Sequence, residues 1–497
     1  MPSFLQNFPL NYNYFSSTLL CCLFFITSLT GQEIMVSEEV QLRSDQSYSI
    51  IGKYKEKTLL YRDKTTVFEV QAFNNERLSV SWTKELELDK KRPEVMDVYG
   101  LDDYFYVLYR YKNRGSSVVK IHKYNEAANL VDSTVVFDYG KRFYSPLPEV
   151  VYSEDKTKIL LYHTEYFNKI EVAVFDIEKM ELMWNKEYMP EDLKFGADFY
   201  QILADDEGGM HMILIRENER FKKDKPHYFE FIYQAAEGAT APVYKVPLEG
   251  KLTFDCFFKI DNLNRSVIGG GMHSAKNKGR TQGYYYMNIP ISNPENYVLS
   301  FKDFELDFME QLVDKKTNVT KGLFDVGIQD LVLRRDGGAL IICEQLKDYE
   351  RGIAGNNISN LNTTRSAFYG REAGRFAVDH YYEDLFLFSV HPDGQHHWEN
   401  ILHKKQFSQD DNAAFSSFFL AKTPQRLRLI YNDEIRSENT VSEYIIKGSG
   451  NTDRNSILNT ASQELRLRFR ESKQVAANEI IVPSERKSKL KLVRMTF

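Results

Sequence analysis

Short, continuously apolar segments recur along the chain, each preceded by a tight polar turn. They read Thr58-Leu59-Leu60-Tyr61, Phe105-Tyr106-Val107-Leu108, Lys158-Ile159-Leu160-Leu161, Met210-His211-Met212-Ile213, Ser266-Val267-Ile268-Gly269, Ala339-Leu340-Ile341-Ile342 and Leu427-Arg428-Leu429-Ile430. Apolar runs this short, bounded by turn residues, predict strands buried on both faces. The turns before them include Leu101-Asp102-Asp103, Glu154-Asp155-Lys156, Asp205 to Gly209, Asp261 to Asn264 and Arg335-Asp336-Gly337-Gly338. Asp, Asn and Gly tolerate left-handed backbone and close hairpins. A second pair of strands follows each first pair, as in Val67 to Val70 with Leu78 to Trp82, and Ile170 to Val174 with Leu182 to Trp184. Farther on, Asp384 to Phe388 and Gln395 to Trp398 are joined through His391-Pro392-Asp393-Gly394.

The apolar segments start 47, 53, 52 and 56 residues apart, then 73 and 88 where loops are inserted. Four strands per repeat of about 50 residues predict an all-β chain folded as a β-propeller. The expected blades are 46–88, 95–138, 148–190, 197–249, 252–304, 322–406 and 414–460, seven of four antiparallel strands. Eight are possible, because Leu465 to Arg470 and Lys489 to Met495 also read as strands. These would pair with an N-terminal strand near Glu39 to Leu42, closing the ring and removing exposed edges. The double glycines of kelch repeats and the Trp-Asp dipeptides of WD40 blades do not recur. An outer-membrane barrel needs strands of about ten alternating positions, and here charges interrupt both faces. Two β-sandwich domains are the other rival.

Composition agrees with strands: 31 Tyr and 34 Phe among 497 residues, types that favour β-structure. Residues 1–31 hold no charged side chain, and Leu19 to Leu29 form an apolar run too short for a membrane span. This predicts a signal peptide cleaved before Gln32, leaving 32–497 as one propeller domain with insertions at about 271–283 and 348–380. An uncleaved anchor is the alternative. The expected location is therefore the periplasm, the outer-membrane periphery or the exterior, with no transmembrane span in the mature chain. Only Cys256 and Cys343 then remain, and their apolar contexts suggest buried thiols more than a disulfide. The net charge of −6 is uneven, because 461–497 carry nine basic and four acidic residues. That segment reads either as docking to an anionic surface or as basic residues guarding strand edges. Nucleic acid is not an expected partner.

Candidate chemistry gathers in the two insertions. The longer, Asp348 to His380, carries Arg351, Arg365, Tyr369, Arg371 and Arg375, an Arg/Tyr set suited to an anionic or sugar partner. The shorter follows Gly269-Gly270-Gly271 and places His273 and Arg280 on the same rim, together with Lys276 and Lys278. The three glycines read as a crowded strand, since the Gly-Lys-Ser/Thr of a phosphate loop is absent. His396 and His397 are strand neighbours pointing to opposite faces, which disfavours a shared metal. Asp205 to Glu207 and Asp410 to Asn412 lack the spacing of a calcium loop. No nucleophile elbow, catalytic Cys motif or dinucleotide fingerprint occurs, and no cofactor or metal is expected.

The stretch Tyr381 to Asp411, with Phe415 to Phe419 and Leu429 to Asp433, resembles exported β-propeller proteins of Bacteroidota; the likeness covers about a tenth of the chain and implies no activity. The expectation is a non-enzymatic envelope scaffold that binds a protein or glycan through its loop-rich face. The alternative is a carbohydrate-active or other hydrolase. An enzyme predicts a deep axial pocket with paired carboxylates or a His–carboxylate pair. A scaffold predicts a filled channel and an aromatic, Arg-rich patch, and a lectin-like binder predicts exposed aromatic platforms.

Overall fold

The computed structural model describes residues 32–90, 92–142, 146–165, 168–218, 226–275, 279–313, 318–351, 377–433, 435, 440–460 and 464–497. Strands are numbered β1 to β34 in chain order. They form eight separate antiparallel sheets, each built on a path of four strands, which excludes both a barrel and a pair of sandwiches. Blade 1 runs β3 (Ser47–Lys53), β4 (Lys57–Asp63), β5 (Phe68–Asn74), β6 (Val80–Leu86). The same order repeats over 94–141, 149–188, 199–247, 252–303, 326–402 and 419–459. These spans match the seven expected blades to within a few residues.

The number of blades is eight, which corrects the preferred count of seven. The last blade holds β32 (Lys473–Ala476), β33 (Glu479–Arg486) and β34 (Lys489–Thr496), and its fourth strand is β1 (Glu33–Val36). Glu33 pairs with Thr496 and Val36 with Val493. A two-residue β2 (Val40–Gln41) pairs the other end of β34, and Ser37 bridges the two through bonds to Leu492 in both directions. The expected closure between chain ends is therefore present, but its main strand begins at Glu33 rather than near Glu39. Leu465 to Arg470 is not a strand. It gives one bridge, Leu467 to Ser484, and a 3₁₀ turn at Phe469–Glu471.

Eight apolar clusters fill the ring, each shared by two adjacent blades. One strand feeds two of them. Ile159 and Leu161 pack between blades 2 and 3, and Leu160 between blades 3 and 4. Burial on both faces is why these segments are apolar at every position rather than every second one. Tyr285 likewise points opposite to Tyr284 and Tyr286. Cys256 and Cys343 are buried thiols in different clusters, not a disulfide.

Strand order gives the ring two unlike faces. Links from first to second and from third to fourth strands emerge on one, the turn face. Links from second to third strands and from blade to blade emerge on the other, the loop face. Turn-face links are short, with left-handed residues such as Asp102, Lys156, Gly208 and Gly337. They also grip each other: Asp155 N–H donates to Asp206, Asp206 N–H to Asn262, and the Asn262 amide to Glu154. No helix of the described residues is long and apolar enough to cross a membrane.

A groove on the loop face as candidate functional site

Blade 6 departs from its neighbours on the loop face. Its β24 (Ala339–Arg351) and β25 (Ala377–Val390) run 13 and 14 residues, against 7 for β4 and β5. They leave the ring as a ribbon, widened where β27 (Gln406–Gln409) pairs with β25. Register sets Lys347 opposite Tyr381 and Tyr349 opposite Asp379. Residues two apart on a strand share a face with their cross-strand partners, so these four side chains form one surface. At the ribbon's root, Gln345 alone faces both Glu383 and Asp384. Such a bulge re-aims side chains, and these two consecutive carboxylates both reach the same hollow.

That hollow is a groove of about 1210 Å³. One wall is the ribbon face. Another is the link entering blade 6, at Leu312, Phe324 and Asp325, and the far end reaches Asp433, Thr440 and Arg454 of blade 7. Phe324, Tyr349 and Tyr381 are 46%, 56% and 36% exposed, so three aromatic faces meet solvent around one concavity. Phe324 is held under the Arg280 guanidinium, 3.9 Å from its ring. Tyr381 rests on Phe407 at 4.9 Å, and the Lys347 ammonium lies 5.2 Å from the Tyr349 ring.

Most of the charges are compensated locally. Lys347 meets Asp325 at 3.6 Å, His403 meets Asp384 at 3.2 Å, and Arg454 meets Asp433 at 2.7 Å. Asp379 accepts the Gln409 amide. Below them, Lys404 and Glu344 form a fully buried pair at 2.5 Å. Lys404 also donates to the Tyr382 carbonyl and to Gln406, and Ser417 donates to the other Glu344 oxygen. Burial lowers the Lys404 pKa, and the Glu344 carboxylate opposes that shift. Through Ser417, Glu344 ties the entry to blade 7 to the floor of the groove.

The expected site residues fall in three places. Arg365, Tyr369, Arg371 and Arg375 lie outside the described residues, as does the segment 1–31. Arg351 ends β24, its backbone paired with Ala377. His273 is not on a rim, which corrects its placement there. It is fully buried, 3.3 Å from the Lys302 carbonyl and edge-on to Phe301, and burial lowers its pKa to about 4. Arg280 does reach the groove's edge, through Phe324. The glycine triad is the crowded strand it was read to be: a Cβ at Gly269 would stand 2.5 Å from Phe258, and one at Gly271 2.8 Å from Tyr285. The groove residues Phe324, Asp325, Lys347, Tyr349 and Tyr381 were not foreseen. Their signal was the Lys-x-Tyr and Asp-x-Tyr alternation flanking the insertion.

The remaining acidic and basic clusters are accounted for by the fold. Asp205 accepts its own turn's amides and faces His211. Asp411 accepts Ser408 and the Ala413 amide. His396 meets Tyr284, while His397 meets Arg334. Among the described residues, no three His, Cys, Asp or Glu side chains are grouped to hold a metal. In the basic C-terminal segment, Arg468 pairs with Glu471 and Glu485, Arg486 with Glu464, and Lys489 with Glu39. The inner strands are bridged side to side. Asp330 lies between Lys259 at 2.6 Å and Lys422 at 3.7 Å, and Lys473 donates to the Ile50 and Ile51 carbonyls. The hollow beside Asp330 measures only about 250 Å³.

No family model and no curated protein matches the chain. Solved structures do resemble it. They include the WD40 domain of SCAP from fission yeast, at 8% identity over 94% of this chain and 98% of that one, TM-score 0.41. The Dos1 propeller matches at 8% over 93% and 94%, TM-score 0.43. The polysaccharide lyase Uly1 matches at 8% over 93% and 99%, TM-score 0.41. Likenesses this distant assign no chemistry, and the propeller assignment stands on the strand pairing itself.

Proposed function

We propose that this propeller is a non-enzymatic binding scaffold of the cell envelope, and that its ligand site is the loop-face groove beside blade 6. The observation that carries this is the convergence of three exposed aromatic rings and a series of compensated ion pairs on one concavity of about 1210 Å³. Concave sites with aromatic walls and a few placed polar groups are where ligands gain affinity. A hydrolase acting along the axis is less well supported: Asp330, the carboxylate beside the inner hollow, is neutralised by two lysines. Placement in the envelope rests on the apolar stretch Leu19 to Leu29. Cleavage before Gln32 is compatible with the fold, since β1 begins one residue later.

The test is a capture experiment with the chain from Gln32 onward as bait, offered envelope proteins and cell-wall glycans. Wild type should retain a defined ligand, and a Tyr349→Ala/Tyr381→Ala variant with unchanged thermal unfolding should lose it. Equal retention by both proteins rejects the groove as the site.

A further inference from the structure

Resting on that reading, we infer that the groove's ligand is an uncharged oligosaccharide whose pyranose rings stack on Tyr349, Tyr381 and Phe324. Three observations select this chemistry. The first is shape. The ligand would lie against the face of the β24–β25 ribbon, where side chains project, rather than along a backbone edge as an added peptide strand would. Sugar rings have apolar C–H faces and hydroxyl rims. They match a Tyr or Phe ring flanked by hydrogen-bonding groups, and the lining alternates these along the ribbon as Lys347, Tyr349, Asp379 and Tyr381. The cavity exceeds the range of about 300–1,000 Å³ usual for a single small molecule, which suits a chain of several sugars.

The second is charge. Asp325–Lys347, Asp384–His403 and Asp433–Arg454 are internal pairs, and Lys404 is matched by Glu344. With Asp379 and Glu383 also lining the hollow, its carboxylates outnumber Lys347, Lys404, Lys405 and Arg454, so a polyanion is repelled, while a strongly basic peptide would have to displace three internal pairs. Neutral hydroxyls, which donate and accept, can bond to both members of each pair. The third is that the aromatic faces are braced beforehand. Arg280 backs Phe324, and Phe407 backs Tyr381, so little side-chain ordering remains to be supplied on binding.

The experiment is calorimetric titration of the chain from Gln32 onward with neutral gluco-, xylo- and manno-oligosaccharides of four to six sugars. Oligogalacturonate and a basic decapeptide serve as charged comparators. At least one neutral series should bind, with affinity changing less than threefold between 50 and 500 mM salt. Tyr349→Ala and Tyr381→Ala should each weaken it at least tenfold, with Tyr349→Phe close to wild type. If a charged comparator binds, falls steeply with salt and is lost in Tyr349→Ala, the groove is the site but the neutral-glycan assignment is wrong. If a neutral series binds and Tyr349→Ala leaves it unaffected, both the assignment and the groove fail. If no neutral oligosaccharide binds, the assignment is overturned.

Discussion

The turn face and the loop face are made from the same eight sheets, yet they are built on opposite terms. On the turn face, links are short, their polar groups bond to the next blade, and the acids are absorbed into that lattice. Asp155 is held below its usual carboxylate range: burial acts against this, but hydrogen bonds from Ser153 and the Thr157 amide outweigh it. Asp206 is pushed up by burial and by the neighbouring Asp155. On the loop face, links range from the two residues between Asn113 and Ser116 to the insertions of blades 5 and 6, and beside blade 6 aromatic rings stay in solvent and a hollow remains. The difference teaches that a propeller separates its tasks: one face locks the ring, which leaves the other able to accept insertions without loss of the fold.

The firmest break of this comparison is at the closure. Removing residues 32–42 deletes β1 and β2 and exposes the edge of β34 between two apolar clusters. The truncated chain should lose cooperative thermal unfolding by circular dichroism; a sharp, wild-type transition would refute closure by the N-terminal strand.

The next effect tests whether the loop face has a rigid foundation. Lys404→Ala leaves Glu344 buried without its partner and should cost about 3–5 kcal/mol in denaturant unfolding. A Lys404→Met/Glu344→Gln double variant should recover most of that. Equal losses in both would mean that the pair's charges are not what matters there.

Acidification gives a smaller effect at the loop-face end of blade 5. His273 stays neutral in the fold down to about pH 4, whereas in the unfolded chain it takes up a proton near pH 6.5. The unfolded state then binds more protons, so stability is full above about pH 7 and declines as pH falls from 6.5 towards 4. Between pH 7 and 5 the ring should account for about 2 kcal/mol of loss. His273→Gln should show a correspondingly flatter pH profile by chemical denaturation.

The smallest effect separates binding from folding. Tyr349→Ala and Tyr381→Ala alter exposed rings and should each change stability by about 0.5 kcal/mol or less, while abolishing ligand capture. A large stability loss would make these rings structural and remove the groove's claim.

Much of the ring was legible before any coordinates. An inner strand buried on two sides must be apolar at successive positions, so Ile159-Leu160-Leu161 announces itself, and an Asp or Gly turn marks where each hairpin closes. The eighth blade carries the period too: Ile480 follows Leu427 by 53 residues, the step seen between earlier blades. Its fourth strand arrives from the other end of the chain, which is why seven was preferred and eight kept as the alternative. His273 was misjudged for a related reason, since neighbouring a loop in sequence does not decide whether a side chain turns outward.

Local pattern thus determined the repeat, the strands and the blade boundaries, because each depends on residues within about fifty positions of one another. Tertiary structure alone decided that Glu33 to Val36 supply the main closing strand, the burial of His273 and the groove. The groove's walls come from segments as distant as Phe324, Tyr381 and Arg454, and only strand register and blade packing bring those side chains to one surface.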